Sequence, residues 1–205
     1  MEKKTIIVLA TKNKGKVKEF EGYFKNFPIV LKSLDDFGQI PEIVEDGVTF
    51  EENAYKKSSC VARILGFPAL ADDSGLVIDA LNGAPGVYSA RYAGENVSDE
   101  YRYKKILEEM KGKENRAARF ECVLSLSVPS GKALTYEANC EGIIADAPSG
   151  SNGFGYDPIF FYPPLNKTFG QLTNDEKTIV SHRGKALKEL SNELDKVLIW
   201  MRQHI

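Results

Sequence analysis

The sequence predicts an α/β protein: an elongated mixed β-sheet with flanking helices, forming two lobes around a central cleft. Three observations predict it. The first third alternates buried-strand patterns with helical ones, a long polar-apolar hairpin follows, and an amphipathic helix closes the chain. The 205 residues are 42% hydrophobic, enough to bury a core, and show no internal repeat. One domain over residues 1–205 is therefore expected, with the hairpin extending the sheet.

The elements follow in order. Ile6, Ile7, Val8, Leu9 and Ala10 do not alternate, so a strand over about 4–11 has both faces buried. A helix over about 14–26 stops before Pro28, and "IVLKSL" (29–34) reads as a short strand. Thr49 caps a stronger helix over about 49–65. Glu51 and Glu52 sit in its first turn, where the helix dipole favours acids, and Gly66 and Pro68 end it. Its inner stripe is Phe50, Ala54, Lys57, Val61 and Leu65. Lys57 is the odd member: it either snorkels outward or meets an anion.

"PALADD" (68–73) reads as a strand ending in two aspartates and a turn at Ser74-Gly75, with "VIDAL" a further short strand. The Gly/Ala-rich segment 81–96 is too long for a plain connection. Ser98 caps a polar helix to Lys111. Phe120, Cys122, Leu124, Leu126 and Val128 alternate on one face, Pro129-Ser130-Gly131 turns the chain, and 133–145 returns antiparallel. Residues of about 182–203 form one amphipathic helix.

Composition excludes several classes. A net charge of -2 gives no broad basic surface for nucleic acid. No apolar run reaches membrane length, and the N-terminal apolar run is too short for a signal-peptide core. Cys60, Cys122 and Cys140 form no metal spacing and fit reduced thiols of a cytoplasmic protein.

Four stretches carry chemistry. Thr11, Lys12, Asn13, Lys14, Gly15 and Lys16 occupy a strand-to-helix turn, where free amides and lysines suit phosphate. The turn lacks the Walker A pattern, and a solvated basic turn is the other reading. Asp72 and Asp73 project to opposite faces of a strand, so they are not a side-by-side pair. One binds metal or water while the other braces a loop, or the stretch is simply a turn. Glu45 offers a further acid, and such oxygen ligands suit Mg²⁺. In the loop 149–158, Phe154 and Tyr156 either stack on a base or fill core. Ser181 caps the last helix, which puts His182 and Arg183 in its first turn. Their positive charge there opposes the dipole and calls for an anion or acceptor.

Taken together, "LATKNKGKVKEF", "VTFEENAYKKS", "ALADDSGLVIDALNGAPGVYSARYAG", "RAARFECVL", "GFGYDPIF" and "EKTIVSHRGKAL" span nearly the whole chain. In these the chain resembles the inosine triphosphate pyrophosphatase family, and within it the bacterial XTP/dITP diphosphatases. The resemblance implies a homodimeric hydrolase with a nucleotide-binding cleft between its lobes. Such an enzyme cleaves ITP, dITP and XTP to the monophosphate and pyrophosphate with Mg²⁺, cleansing the nucleotide pool. It implies that Thr11 to Lys16 hold triphosphate and sugar, Asp73 is the catalytic acid-base residue and a metal ligand, and Glu45 helps bind metal. Ser74 touches substrate, Lys57 faces the phosphates, and Phe154, Gly155, Tyr156 and Asp157 contact base and sugar. Lys177, His182 and Arg183 complete the nucleotide site. Lys12, Lys14 and Ser58 depart mildly from the family pattern, Ser58 standing where alanine is expected. A nucleotide-binding sensor without turnover is the alternative, made less favourable by carboxylates beside an anion site.

Overall fold

The computed structural model describes residues 4–41 and 43–205. Its strands are β1 (Thr5–Leu9), β2 (Ile29–Ser33), β3 (Ala69–Ile78), β4 (Ala117–Ser127), β5 (Ala133–Ile144), β6 (Phe160–Tyr162) and β7 (Lys167–Thr168). Its α-helices are α1 (Lys14–Phe24), α2 (Phe50–Leu65), α3 (Asp99–Glu109), α4 (Asn174–Val180), α5 (His182–Asn192) and α6 (Leu194–His204). Among the described residues the strands form one seven-stranded sheet in the order β2-β1-β3-β4-β5-β6-β7. β1 runs parallel to β2 and β3, whereas β6 runs antiparallel to β5 and β7, so the sheet is mixed as expected.

The chain divides into two compact units. The first runs to Asp73 and adds Cys122–Glu137 and Ala186–Ile205; the second comprises Ser74–Glu121 and Ala138–Lys185. In the first, Val8 and Ala10 join Ala69 and Ala71 of β3 against Val61 and Ala62 of α2. Small residues on both sides let helix and sheet approach closely. Thr49 caps α2 by accepting the Glu52 amide at 3.1 Å, and Gly66 ends it in a left-handed conformation. The core of the second unit gathers Leu76 and Ile78 with Ile106, Met110, Phe120, Phe160 and Phe169. The Phe160 ring lies 4.6 Å from Phe120 and 4.8 Å from Phe169.

Three expectations need correction. β3 does not end at Asp73 with a turn at Ser74-Gly75; it continues to Ile78 and absorbs the first half of "VIDAL". Burying Leu76 and Ile78 completely, and pairing the Leu76 amide with Ser89 Oγ at 2.9 Å, outweighs the local turn preference. Asp79–Leu81 then forms a 3-10 turn. The closing helix is two helices, broken around Glu193. Finally, β4 buries both faces beyond Cys122, because Ser125 and Ser127 meet Ser58 of α2 at 2.8 and 2.7 Å.

Candidate active site

The first unit builds a centre on Lys57. Its place on the inner stripe of α2 buries it, which rules out snorkelling: only 7% of the residue is exposed. The anions it meets are the protein's own. Its Nζ donates to Glu45 Oε2 and to Asp73 Oδ1, each at 2.9 Å. Burial opposes the ammonium charge, but Asp73, Glu45 and Asp72 together outweigh it, and the Lys57 pKa is raised. Burial is also the largest influence on Asp73. It pushes the carboxyl above the usual carboxylate range, against the pull of Lys57 and Lys16. Both shifts favour the proton-bound forms, so Asp73 is more basic than an ordinary aspartate.

Asp72, the neighbour of Asp73 in β3, turns the other way, as strand alternation requires. Its buried carboxylate pairs with Lys16 of α1 and accepts the Cys122 thiol at 3.5 Å. Lys16 is thus engaged with Asp72, bracing the opening turn against the strand. In that turn Asn13 caps α1, its Oδ1 accepting the Lys16 amide at 3.1 Å, and Thr11 Oγ1 accepts the Asn13 amide at 3.1 Å. Gly15 follows in the first helical turn, and the side chains of Lys12 and Lys14 flank it in solvent.

The convergence of Glu45 and Asp73 on one ammonium shows two oxygen donors already aimed at a single cation. Among the described residues, no group of three or more His, Cys, Asp or Glu side chains forms a metal cage. That donor set fits Mg²⁺, which takes one or two carboxylates and fills its shell with water and phosphate.

The second unit builds a different centre. Lys177 of α4 donates to Asp157 Oδ2 at 2.6 Å, and both residues are buried. The same Oδ2 accepts the Phe154 amide at 2.8 Å, which closes the loop on itself. The Phe154 ring then lies 4.7 Å from the Lys177 ammonium and 5.8 Å from the Arg183 guanidinium. Tyr156, by contrast, fills core; its hydroxyl donates to the Ser89 carbonyl at 2.8 Å.

His182 and Arg183 are not a surface pair. His182 stacks on Phe120 at 4.7 Å, and Arg183, 2% exposed, donates from Nη2 to Ser74 Oγ at 2.9 Å. Ser181 sets their position. Its amide donates to the Lys177 carbonyl at 2.8 Å, ending α4, and its Oγ accepts the Gly184 amide at 3.1 Å, starting α5. A Cβ on Gly184 would overlap the Thr178 carbonyl, so the corner needs glycine there.

Sequence reasoning missed several supporting residues. Asp99 Oδ2 accepts the Gly155 amide at 2.8 Å, while Arg102 holds its other oxygen at 2.6 Å. Nothing in the spacing of 99 and 155 signals that contact. Asn53 is buried and hydrogen-bonds Gly47. Its signal was available: it is a polar residue three positions from Phe50 and four from Lys57, beside the apolar stripe.

The chain is similar to known proteins along nearly its whole length. It is 61% identical over 196 residues to a dITP/XTP pyrophosphatase of Syntrophobacter fumaroxidans, covering 96% of this chain and 84% of that protein. It is 54% identical to a dITP/XTP pyrophosphatase of Desulfotalea psychrophila, covering 98% and 90%. A solved HAM1 protein from Coxiella burnetii superposes with a TM-score of 0.86 at 43% identity, covering 94% of this chain and 99% of that one. The Ham1 family model matches residues 7–193. With this match along the sequence and in the fold, the chain belongs to the Ham1 family.

Proposed function

We propose that the chain hydrolyses non-standard purine nucleoside triphosphates, ITP, dITP and XTP, to the monophosphate and pyrophosphate. The names of its curated relatives support this reading. The observation that carries it is the meeting of Glu45 and Asp73 at buried Lys57. A cation-binding pair of carboxylates, one of them unusually basic, has little use in a module that only holds phosphate.

The groups of the first unit are assigned the phosphate chemistry. Glu45 and Asp73 are the residues to hold Mg²⁺, which when bound supplies charge neutralisation and an acidified water. Asp73 orients the attacking water and accepts its proton; burial has already raised its basicity. Lys57 donates to the oxygens on which charge develops as the phosphoanhydride breaks. Thr11 to Lys16 bring α1 amides and lysines to the triphosphate.

The groups of the second unit are assigned the purine. The Phe154 ring offers a stacking face, and the hydrogen bond from its amide to Asp157 fixes its position. His182 and Arg183 present N–H donors, which pair with a 6-oxo group and leave a 6-amino group without an acceptor. Ser74 pairs with Arg183, and Lys177 holds Asp157 beneath the Phe154 amide.

The same reading makes the chain one nucleoside triphosphate pyrophosphatase domain, acting as a homodimer in the cytoplasm. The three cysteines are free thiols, and among the described residues no helix is long and apolar enough to cross a membrane. The test is a nucleotide panel with Mg²⁺ that separates pyrophosphate from phosphate. Pyrophosphate from ITP, dITP and XTP, with kcat/KM far above that for ATP, is expected. Equal kcat/KM for ITP and ATP removes the base discrimination. Tight ITP binding without turnover favours a sensor.

A further inference from the structure

We infer that Asn53 is a positioning residue that fixes the Glu45–Gly47 segment and so sets where Glu45 meets a metal; the inference rests on the metal reading of Glu45. Asn53 is 1% exposed, although it is polar and lies in the first turn of α2. Its side-chain amide engages both backbone groups of one residue. Oδ1 accepts the Gly47 amide at 2.8 Å, and Nδ2 donates to the Gly47 carbonyl at 3.4 Å. This is the pairing a neighbouring strand would offer, supplied here by one side chain to a segment outside the sheet. Glu52 holds the next residue, its Oε2 accepting the Val48 amide at 2.7 Å. Two consecutive amides are therefore tied to the first turn of α2.

The fit is close. A Cβ on Gly47 would lie 2.7 Å from Asn53 Oδ1 and 2.8 Å from Glu52 Cβ, below any normal contact. Asn53 sits one helical turn before Lys57, so the same helix carries the clamp and the ammonium. Glu45 lies two residues upstream of the clamped glycine, with its side chain 40% exposed, yet its Oε2 is held 2.9 Å from Lys57 Nζ. An exposed glutamate on an irregular segment has many rotamers and backbone states to choose from. The clamp at Gly47 restricts that backbone from two residues downstream.

The test compares Asn53→Ala, Gly47→Ala, Glu45→Ala and the Asn53→Ala/Glu45→Ala double variant with the parent. Mn²⁺ binding to the protein is followed by electron paramagnetic resonance, and Gly47 amide exchange by NMR. Loss of an outer residue that orients a metal ligand typically weakens metal binding about 10–100-fold. Asn53→Ala is expected to raise the Mn²⁺ Kd by about 10-fold and to lose protection at the Gly47 amide. Gly47→Ala, which displaces the clamp from the other side, is expected to weaken Mn²⁺ equally. The double variant is expected to bind Mn²⁺ no worse than Glu45→Ala alone, since a residue acting through Glu45 has nothing left to position. Glu45→Ala binding Mn²⁺ like the parent overturns the metal reading of Glu45 and this inference with it. An impaired Glu45→Ala beside an unimpaired Asn53→Ala, or multiplying losses in the double variant, overturns the inference alone.

Discussion

Among the described residues two buried lysines each form the centre of a cluster, and the two clusters are built to opposite ends. At Lys57 two carboxylates meet one ammonium, so acid groups outnumber the base. At Lys177 the ammonium pairs with Asp157 and is flanked by the ring faces of Phe154 and Phe169 at 4.7 and 5.9 Å. Removing charges from water is costly, and each centre offsets that cost differently. The first keeps surplus acid whose proton affinity burial has raised. The second ties off its charge and leaves a flat, polarisable surface. The proposed function assigns the first arrangement to a reaction at phosphorus and the second to the recognition of a ring.

The largest effect should break the first centre. Asp73→Asn is expected to lower Mg²⁺-dependent pyrophosphate release by about 10²–10⁴-fold, as loss of a general base does. ITP, dITP and XTP should lose the same factor, because the proposed function places Asp73 at the phosphates and not at the base. Near-normal turnover would remove Asp73 from the chemistry.

Next, Phe154→Ala tests the second centre. Loss of one stacking face is worth about 1–3 kcal/mol, roughly 5–150-fold in kcat/KM for ITP. Competition by tripolyphosphate, which has no base, should be unchanged. Weakened tripolyphosphate inhibition would show that the two centres do not divide the substrate this way.

The smallest effect concerns the cap that starts α4 and so supports Lys177. Thr173 and Glu176 cap each other, the Thr173 amide donating to Glu176 Oε2 at 2.8 Å, and Lys167 pairs with Glu176 at 2.9 Å. These contacts, led by the Thr173 amide, pull the Glu176 pKa down to about 2. Because the folded pKa is depressed, the stabilisation is present above the unfolded value near 4.5 and is lost as pH falls through about 2. In Glu176→Gln, unfolding measured between those limits should depend less on pH than in the parent. An unchanged pH dependence would show that the capping carboxylate contributes nothing to folding.

Local patterns made much of this legible. The non-alternating run of β1, the caps at Thr49 and Ser98 and the stop at Gly66 all depend on neighbours in sequence, and all appear in the fold. Lys57 stood out because it interrupted an apolar stripe. Its partners did not, since Glu45 and Asp73 lie 12 and 16 residues away and nothing local fixes which acid folds back. Ser74-Gly75 misled for the same reason in reverse: a true local turn preference gave way to burial of Leu76 and Ile78. Clean alternation in β4 likewise hid that Ser125 and Ser127 are buried, because two serines facing a third satisfy one another.

The corner at Ser181 has a practical consequence for engineering. Lengthening an ordinary surface loop costs only about 0.6 kcal/mol per doubling, so most connections tolerate inserted residues. Here one residue closes α4 and opens α5, leaving no slack to absorb an insertion. With a residue added there, Ser181 could no longer end α4 and start α5 at once, and His182 and Arg183 would lose the cap that positions them. Variants of His182 and Arg183 are therefore better made by substitution than by insertion. Length variation belongs outside this corner.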